Sequence, residues 1–261
     1  MSGTWRMPYL RIACHSLLRQ EYPRELFGLI IVHTTREDGD NDIQELAELC
    51  REVGATLVFI KQEDPAFNIC KAYNAGVRAG SREALALFDG DVFFHPRTLR
   101  FAADALLDGR GGAIVPVVRS NHGPTHAMFT ASVYQATSDE AWETLSGGKG
   151  WQRDADGNAV FPRHLYERLQ GYDERYHGWG CADNDIVARF RYDYGTVDLI
   201  DRGCPKSYHM AHKTRPSCES DFTKRNRGII STPQGTVRNG EVWGGIPVKR
   251  VLEDVSVTRG D

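Results

Sequence analysis

The sequence predicts an α/β fold in which a mostly parallel central sheet is covered by helices on both faces. Two observations carry that expectation. Between Pro8 and Leu107, short apolar runs alternate with amphipathic segments at helical spacing, the pattern of parallel strands joined by helical crossovers. In addition, the apolar run Ala84-Leu85-Ala86-Leu87-Phe88 leads straight into Asp89-Gly90-Asp91. That places two carboxylates at the carboxyl end of a strand, the edge where ligands collect in such sheets.

The elements follow in order. Pro8 to Gln20 carries Leu10, Ala13, Leu17 and Leu18 at helical spacing, with Pro8 suited to a first turn. Leu26 to Val32 reads as a strand, Ile43 to Val53 as an amphipathic helix and Thr56 to Ile60 as a second strand. Phe67, Cys70, Ala72, Tyr73 and Val77 mark a helix to Ala79 that Gly80 stops. The strand ending at Asp89 is expected to be buried on both faces, because its residues do not alternate apolar with polar. A helix over Pro96 to Leu107 and a strand over Ala113 to Val118 come next. Gly147 to Asn158, with Trp151, reads as a long loop, and Pro162 to Gln170 as a short helix. Ile186, Val187 and Phe190 make the segment after Ala182 helical, and Thr196 to Ile200 is the last expected strand. Beyond Arg215 the chain is basic, then Gly-rich, with little pattern.

Composition narrows the function. A chain of 261 residues can bury a sizeable core, and nothing in it looks like a linker. A formal net charge of −3 with nine histidines gives no broad basic field for gripping nucleic acid. Cys14, Cys50, Cys70, Cys181, Cys204 and Cys218 follow no framework spacing, and no signal peptide or long apolar run is present, so a soluble, cytoplasmic, reduced protein is expected. Two further Asp-x-Asp triplets carry little. Asp154-Ala155-Asp156-Gly157-Asn158 reads as a hairpin turn, and Asp38-Gly39-Asp40-Asn41-Asp42 lacks the glycine and glutamate of a calcium loop, with Ile43 and Leu49 in their places.

Two carboxylates one residue apart suit a hard divalent cation, although an acidic turn would use the same residues. A second constellation surrounds Asp183, in the first turn of the helix after Gly178-Trp179-Gly180. A carboxylate there is stabilised by the helix dipole and can serve as a general base; the plain alternative is a helix cap. Trp179 between two glycines suits stacking on a sugar ring, or burial in a core.

The order Asn74-Ala75-Gly76, Asp89-Gly90-Asp91, Gly171-Tyr172-Asp173-Glu174, Gly178-Trp179-Gly180-Cys181-Ala182-Asp183-Asn184-Asp185 and His209-Met210-Ala211-His212 resembles that of GT-A fold glycosyltransferases. The likeness is to family 2 enzymes and, over the C-terminal part, to the β-1,4-galactosyltransferase/chondroitin polymerase group. It implies a Rossmann-like α/β/α sandwich and a single domain over 1–261: a nucleotide-sugar half over 1–118, an acceptor half over 119–213 and a tail over 214–261. It further implies Asp91 with His212, and His209 beside it, as ligands of Mn²⁺ or Mg²⁺, and Asp89, Asn74 and Lys71 on the donor. Asp183 is implied as the base, with Trp179, Gly180 and Asp185 at the sugar or acceptor. The expected activity is transfer from a nucleotide-diphosphate sugar, a UDP-sugar first, to a glycan or small-molecule hydroxyl with inversion. A retaining transferase, a nucleotidyltransferase and an inactive sugar-nucleotide or glycan-binding protein are the alternatives.

Three departures stand out. The family's opening strand of the Val-Ser-Val-Ile type is missing before Thr4-Trp5-Arg6, so the sheet is expected either to lack an edge or interior strand or to take one from another segment or protomer. His33-Thr34-Thr35 replaces the Asp pair that contacts the base, and Ala182 replaces a glutamate that holds an N-acetylhexosamine acceptor. Cys204, His209, His212 and Cys218 offer a structural zinc site as a rival use of the histidines, at a spacing that fits no common zinc motif.

Overall fold

The computed structural model describes residues 7–35, 42–61, 67–118, 157–178, 180–210, 219–230 and 249–250, together with Asn239 and Trp243. Its N-terminal part matches the expected alternation closely. Helix α1 (Met7–Leu18) is followed by strand β1 (Leu29–Thr35), α2 (Asp42–Val53), β2 (Ala55–Lys61) and α3 (Ile69–Ala79). Strands β1 and β2 pair in parallel from Leu29↔Ala55 to Thr35↔Lys61. Ile31 and Leu57 face a cluster built with Met7 and Cys14 of α1 and Leu46, Leu49 and Cys50 of α2. Val32, Val58 and Ile60 face Ala72 and Ala75 of α3 on the other side. The strand period of two thus sorts one apolar set to each helical layer.

The carboxylate-bearing strand is β3 (Ala84–Leu87), followed by β4 (Val92–Phe93), α4 (Thr98–Leu107), β5 (Ala113–Ile114) and β6 (Val117–Val118). Only one face of β3 is buried, through Leu85 and Leu87, while Ala84 and Ala86 are exposed. This corrects the expectation of burial on both faces: alanine is small enough to conceal an alternation that exposure makes plain. The single strand expected over Ala113 to Val118 is two, and they belong to different sheets.

The rest comprises β7 (Ala159–Pro162), α5 (Arg163–Arg168), α6 (Ala182–Asp193), β8 (Val197–Asp198), β9 (Ser207–His209), α7 (Glu219–Ile230) and β10 (Lys249–Arg250). The strands form three sheets, ordered β1-β2-β10, β3-β7-β5-β8 and β4-β9-β6. Antiparallel β7 lies between β3 and β5. Among the described residues the α/β architecture is as expected and the strand pairing is mixed: β1–β2, β5–β8 and β6–β9 are parallel, and the other described pairings are antiparallel. Among the described residues β1 pairs only with β2 and β3 only with β7, so no described strand joins the first two sheets where an opening strand was expected. The largest core cluster draws Cys70, Val77, Leu85 and Leu87 together with Phe161, Tyr166, Tyr172, Ile186 and Phe190, uniting residues from both halves of the chain.

Candidate active site

The carboxylates converge because three connections end at one place. The turn after β3 carries Asp89 and Asp91, the start of β7 carries Gly157 and Asn158, and the first turn of α6 carries Asp183.

Asp89 is held from two sides. The Tyr73 hydroxyl donates to its Oδ1 at 3.1 Å. Asn158 donates from Nδ2 to Oδ2 at 3.2 Å and accepts the Asp89 backbone N–H at 3.0 Å. Asp91 is buried, and its carbonyl accepts from the Met210 N–H at 2.9 Å. Antiparallel pairing of Val92 with His209 brings the His209 Nε2 to 3.5 Å from Asp91 Oδ1. A carboxylate oxygen, the donor type that suits Mn²⁺ or Mg²⁺, and an imidazole nitrogen thus stand side by side. Among the described residues no group of three or more ligating side chains occurs; His212 lies outside them. The zinc arrangement gains no support from Cys204, which is buried among apolar neighbours and donates its thiol to the Pro205 carbonyl at 3.4 Å. Cys218 lies outside the described residues.

Asp183 is not the cap of its helix. That position belongs to Cys181, a non-glycine residue held at φ 70° whose side chain makes no capping bond. The Asp183 carboxylate accepts from the Tyr172 hydroxyl at 3.0 Å. Gly157, at φ 68°, lies against it so closely that an added Cβ would stand 2.6 Å from Asp183 Oδ1. Only glycine fits there, on both counts. The rings of Tyr73 and Tyr172 stack with centroids 5.0 Å apart and planes 17° apart. Burial first, and then the nearby carboxylates, raise both phenols well above their ordinary range, so each remains a neutral hydroxyl donor.

Several expected residues sit elsewhere. Asn74 is fully buried and its amide is spent inside the protein: Nδ2 donates to the Tyr172 carbonyl and to Glu174 Oε1, and Oδ1 accepts from the Tyr166 hydroxyl and the Tyr172 N–H. With both donors and both lone pairs engaged, it anchors the turn over 169–174 instead of contacting a donor. Asp185 is also fully buried, its Oδ2 accepting from Arg189 Nε at 2.8 Å, and a carboxylate so enclosed presents no face to a substrate. Arg189 donates further to the Leu169 and Gly171 carbonyls, at 3.1 and 2.8 Å. Gly171 has no alternative, since a Cβ there would come 2.3 Å from Asn74 Oδ1. Lys71 is half-buried in the first turn of α3, where its N–H donates to the Asn68 cap at 3.0 Å. Gly180 is exposed at φ 92°, and Trp179 lies outside the described residues.

Sequence reasoning missed Tyr73, Gly157, Asn158 and the contribution of α7. Asn226 of α7 is fully buried, and its Nδ2 donates to the His177 and Gly180 carbonyls at 3.0 Å each, on either side of the Gly178 segment. The signal for Gly157 and Asn158 was the apolar Ala159-Val160-Phe161 directly after them, which places an Asp-Gly-Asn turn at the mouth of a strand.

The chain is similar to known proteins in sequence and in fold. A family model described as glycosyl transferase family 2 matches residues 6–169, more than half of the chain. A second, described as the N-terminal domain of galactosyltransferase, matches residues 149–213. A search of curated proteins finds no match. Similar solved structures include residues 1–349 of TarS from S. aureus in complex with UDP, with a TM-score of 0.53, 14% identity, and coverage of 79% of this chain and 57% of that one. GalNAc-T7 with UDP, GalNAc and Mn²⁺ gives a TM-score of 0.55 and 12% identity, covering 85% of this chain and 45% of that one. The mannosyltransferase PcManGT from Pyrobaculum calidifontis, in complex with GDP-Man and Mn²⁺, gives 0.52 and 19%, covering 80% and 55%. The chain spans about half the length of each, and at these identities the likeness is one of fold.

Proposed function

The chain belongs to glycosyl transferase family 2, and from that membership and the setting of Asp183 we propose that it transfers a sugar from a nucleotide-diphosphate donor to an acceptor hydroxyl, with inversion at the anomeric carbon. The observation that carries the reading is a half-buried carboxylate in the first turn of a helix, directed by the neutral hydroxyl of Tyr172. The helix N-terminus favours its ionised form. A hydroxyl partner fixes its direction without cancelling its charge, which is what a proton acceptor requires.

In the reaction, Asp183 takes the proton of the acceptor hydroxyl while that oxygen bonds to the anomeric carbon. The bond from that carbon to the diphosphate oxygen breaks on the opposite face, and its electron pair departs with the diphosphate. Asp91 and His209, with His212, would hold the divalent cation, Mn²⁺ or Mg²⁺, which when bound neutralises the charge growing on the leaving group. In this reading Asp89 would meet the donor at its ribose, and Lys71 would also contact the donor. Trp179 and Gly180 would serve the sugar or acceptor. A UDP-sugar is the first donor to test, since two of the three similar structures named above hold UDP.

The test is transfer from UDP- and GDP-sugars, with Mn²⁺ or with chelator, and analysis of the product anomer. The reading expects turnover only with metal and an inverted linkage. Asp91→Ala is expected to lose nucleotide-diphosphate binding while melting as the parent does. A retained anomer would remove Asp183 as a base for direct displacement. Donor binding without turnover on any acceptor would make the chain a binding module.

A further inference from the structure

Asp89 and Asp183 lie on different elements, yet two bridges tie them together. One is covalent: Asn158 bonds to Asp89 and its neighbour Gly157 lies against Asp183. The other is the aromatic stack, in which Tyr73 of α3 bonds to Asp89 and Tyr172 bonds to Asp183. The effort spent on Tyr172 is large. Its backbone N–H and carbonyl are both taken by Asn74, Asn239 donates to the same carbonyl and to that of Gln170, and Arg189 grips the carbonyls of Leu169 and Gly171. Gln170 and Gly171 are held at φ 57° and 68° in succession. A strained turn persists only where its surroundings over-determine it, and here three side chains do so, Asn74 and Arg189 fully buried and Asn239 partly. What the turn delivers is one ring, packed on Tyr73, with its hydroxyl on Asp183.

We propose that Tyr172 and Tyr73 are a coupled pair of positioning residues: Tyr172 sets the orientation of the Asp183 carboxylate, Tyr73 sets that of Asp89, and their stack keeps the acceptor side of the reaction in register with the donor side. The inference rests on the reading of Asp183 as the base. Phenols suit the task because they direct a carboxylate oxygen while remaining uncharged, and stacked rings resist sliding. Misplacing a reacting group by about 1 Å is enough to cost about a hundredfold in rate.

The experiment compares the parent, Tyr172→Phe, Tyr73→Phe, Asp183→Asn and the Tyr172→Phe/Asp183→Asn pair, since phenylalanine keeps the stack and deletes only the hydroxyl. Each is measured for kcat, for UDP affinity with Mn²⁺ by calorimetry, and for melting. Tyr172→Phe is expected to lower kcat about tenfold, equivalent to about 1.4 kcal/mol, and to leave UDP affinity within about twofold. Tyr73→Phe is expected to weaken UDP about fivefold, with a smaller effect on kcat, as loosening a binding group does. Because Tyr172 acts through Asp183, its replacement should cost nothing further in the Asp183→Asn background; full additivity would mark a general structural role and overturn the proposal. Parental kcat in Tyr172→Phe while Asp183→Asn is inactive would overturn the positioning role and leave the base assignment standing. Parental kcat in Asp183→Asn would overturn both.

Discussion

Asp183 and Asp185 stand two residues apart in the first turn of α6, and the turn of the helix sends them into different surroundings. Asp183 is half-buried, meets the Tyr172 hydroxyl and has Gly157 against it. Asp185 is sealed in the core against an equally buried Arg189. The contrast separates two uses of one side chain. Asp185 is enclosed with its guanidinium and reaches no substrate, while Asp183 is half-buried and meets a neutral hydroxyl. The two are nonetheless linked, because Arg189, once held by Asp185, grips the turn that presents Tyr172.

The comparison can be broken most sharply from the structural side. Arg189→Leu leaves Asp185 buried without its cation, which typically costs about 3 to 5 kcal/mol; thermal unfolding should show a fall on the order of 10 °C. Joining it to Asp185→Leu should recover much of the loss, because removing both charges removes the unpaired one. Asn74→Ala strands the Tyr166 hydroxyl and the Tyr172 N–H, while Asn239 still serves the Tyr172 carbonyl, so a loss of about 2 to 3 kcal/mol is expected in urea unfolding. Turnover should fall with it as the Tyr172 turn loosens.

Gly157→Ala probes the functional side. A methyl 2.6 Å from Asp183 Oδ1, on a residue at φ 68°, must displace the carboxylate. We expect kcat to fall about tenfold, equivalent to about 1.4 kcal/mol, with UDP binding little changed. The smallest effect belongs to a carboxylate of a third kind. Glu52 of α2 pairs with Arg11 and His15 of α1 on the surface, and exposed pairs contribute little. Glu52→Gln should leave the melting temperature and turnover unchanged.

These differences mark what the sequence could reveal. Helices α1 to α4 and strands β1 to β3 were legible because long amphipathic periods and apolar runs report burial directly. Strands β7 and β9 were not, since four residues ending in proline and a three-residue Ser-Tyr-His carry no period, and their pairing depends on partners far along the chain. Helix α7 was hidden in a basic stretch whose buried residue, Asn226, is polar. At the candidate site, the order of motifs along the chain singles out Asp89, Asp91 and His209, and the structure brings the last two together. The motifs of Asn74 and Asp185 are polar and suggest a ligand; nothing local shows that the Asn74 amide is spent on the Tyr172 turn or that Asp185 pairs with a buried Arg189. Tyr73 gave no polar signal at all, because it reads as one apolar position of α3.

The central claim is that the working carboxylate is Asp183 and the structural one Asp185. It is tested most directly by Asp183→Asn and Asp185→Asn side by side, each with kcat, a UDP titration and a melting curve. The account predicts that Asp183→Asn stays folded and binds UDP with Mn²⁺ while kcat falls about a hundred- to ten-thousandfold, and that Asp185→Asn instead shows its main effect as a lowered melting temperature. An Asp183→Asn protein that is folded, binds UDP and turns over at the parental rate would contradict it.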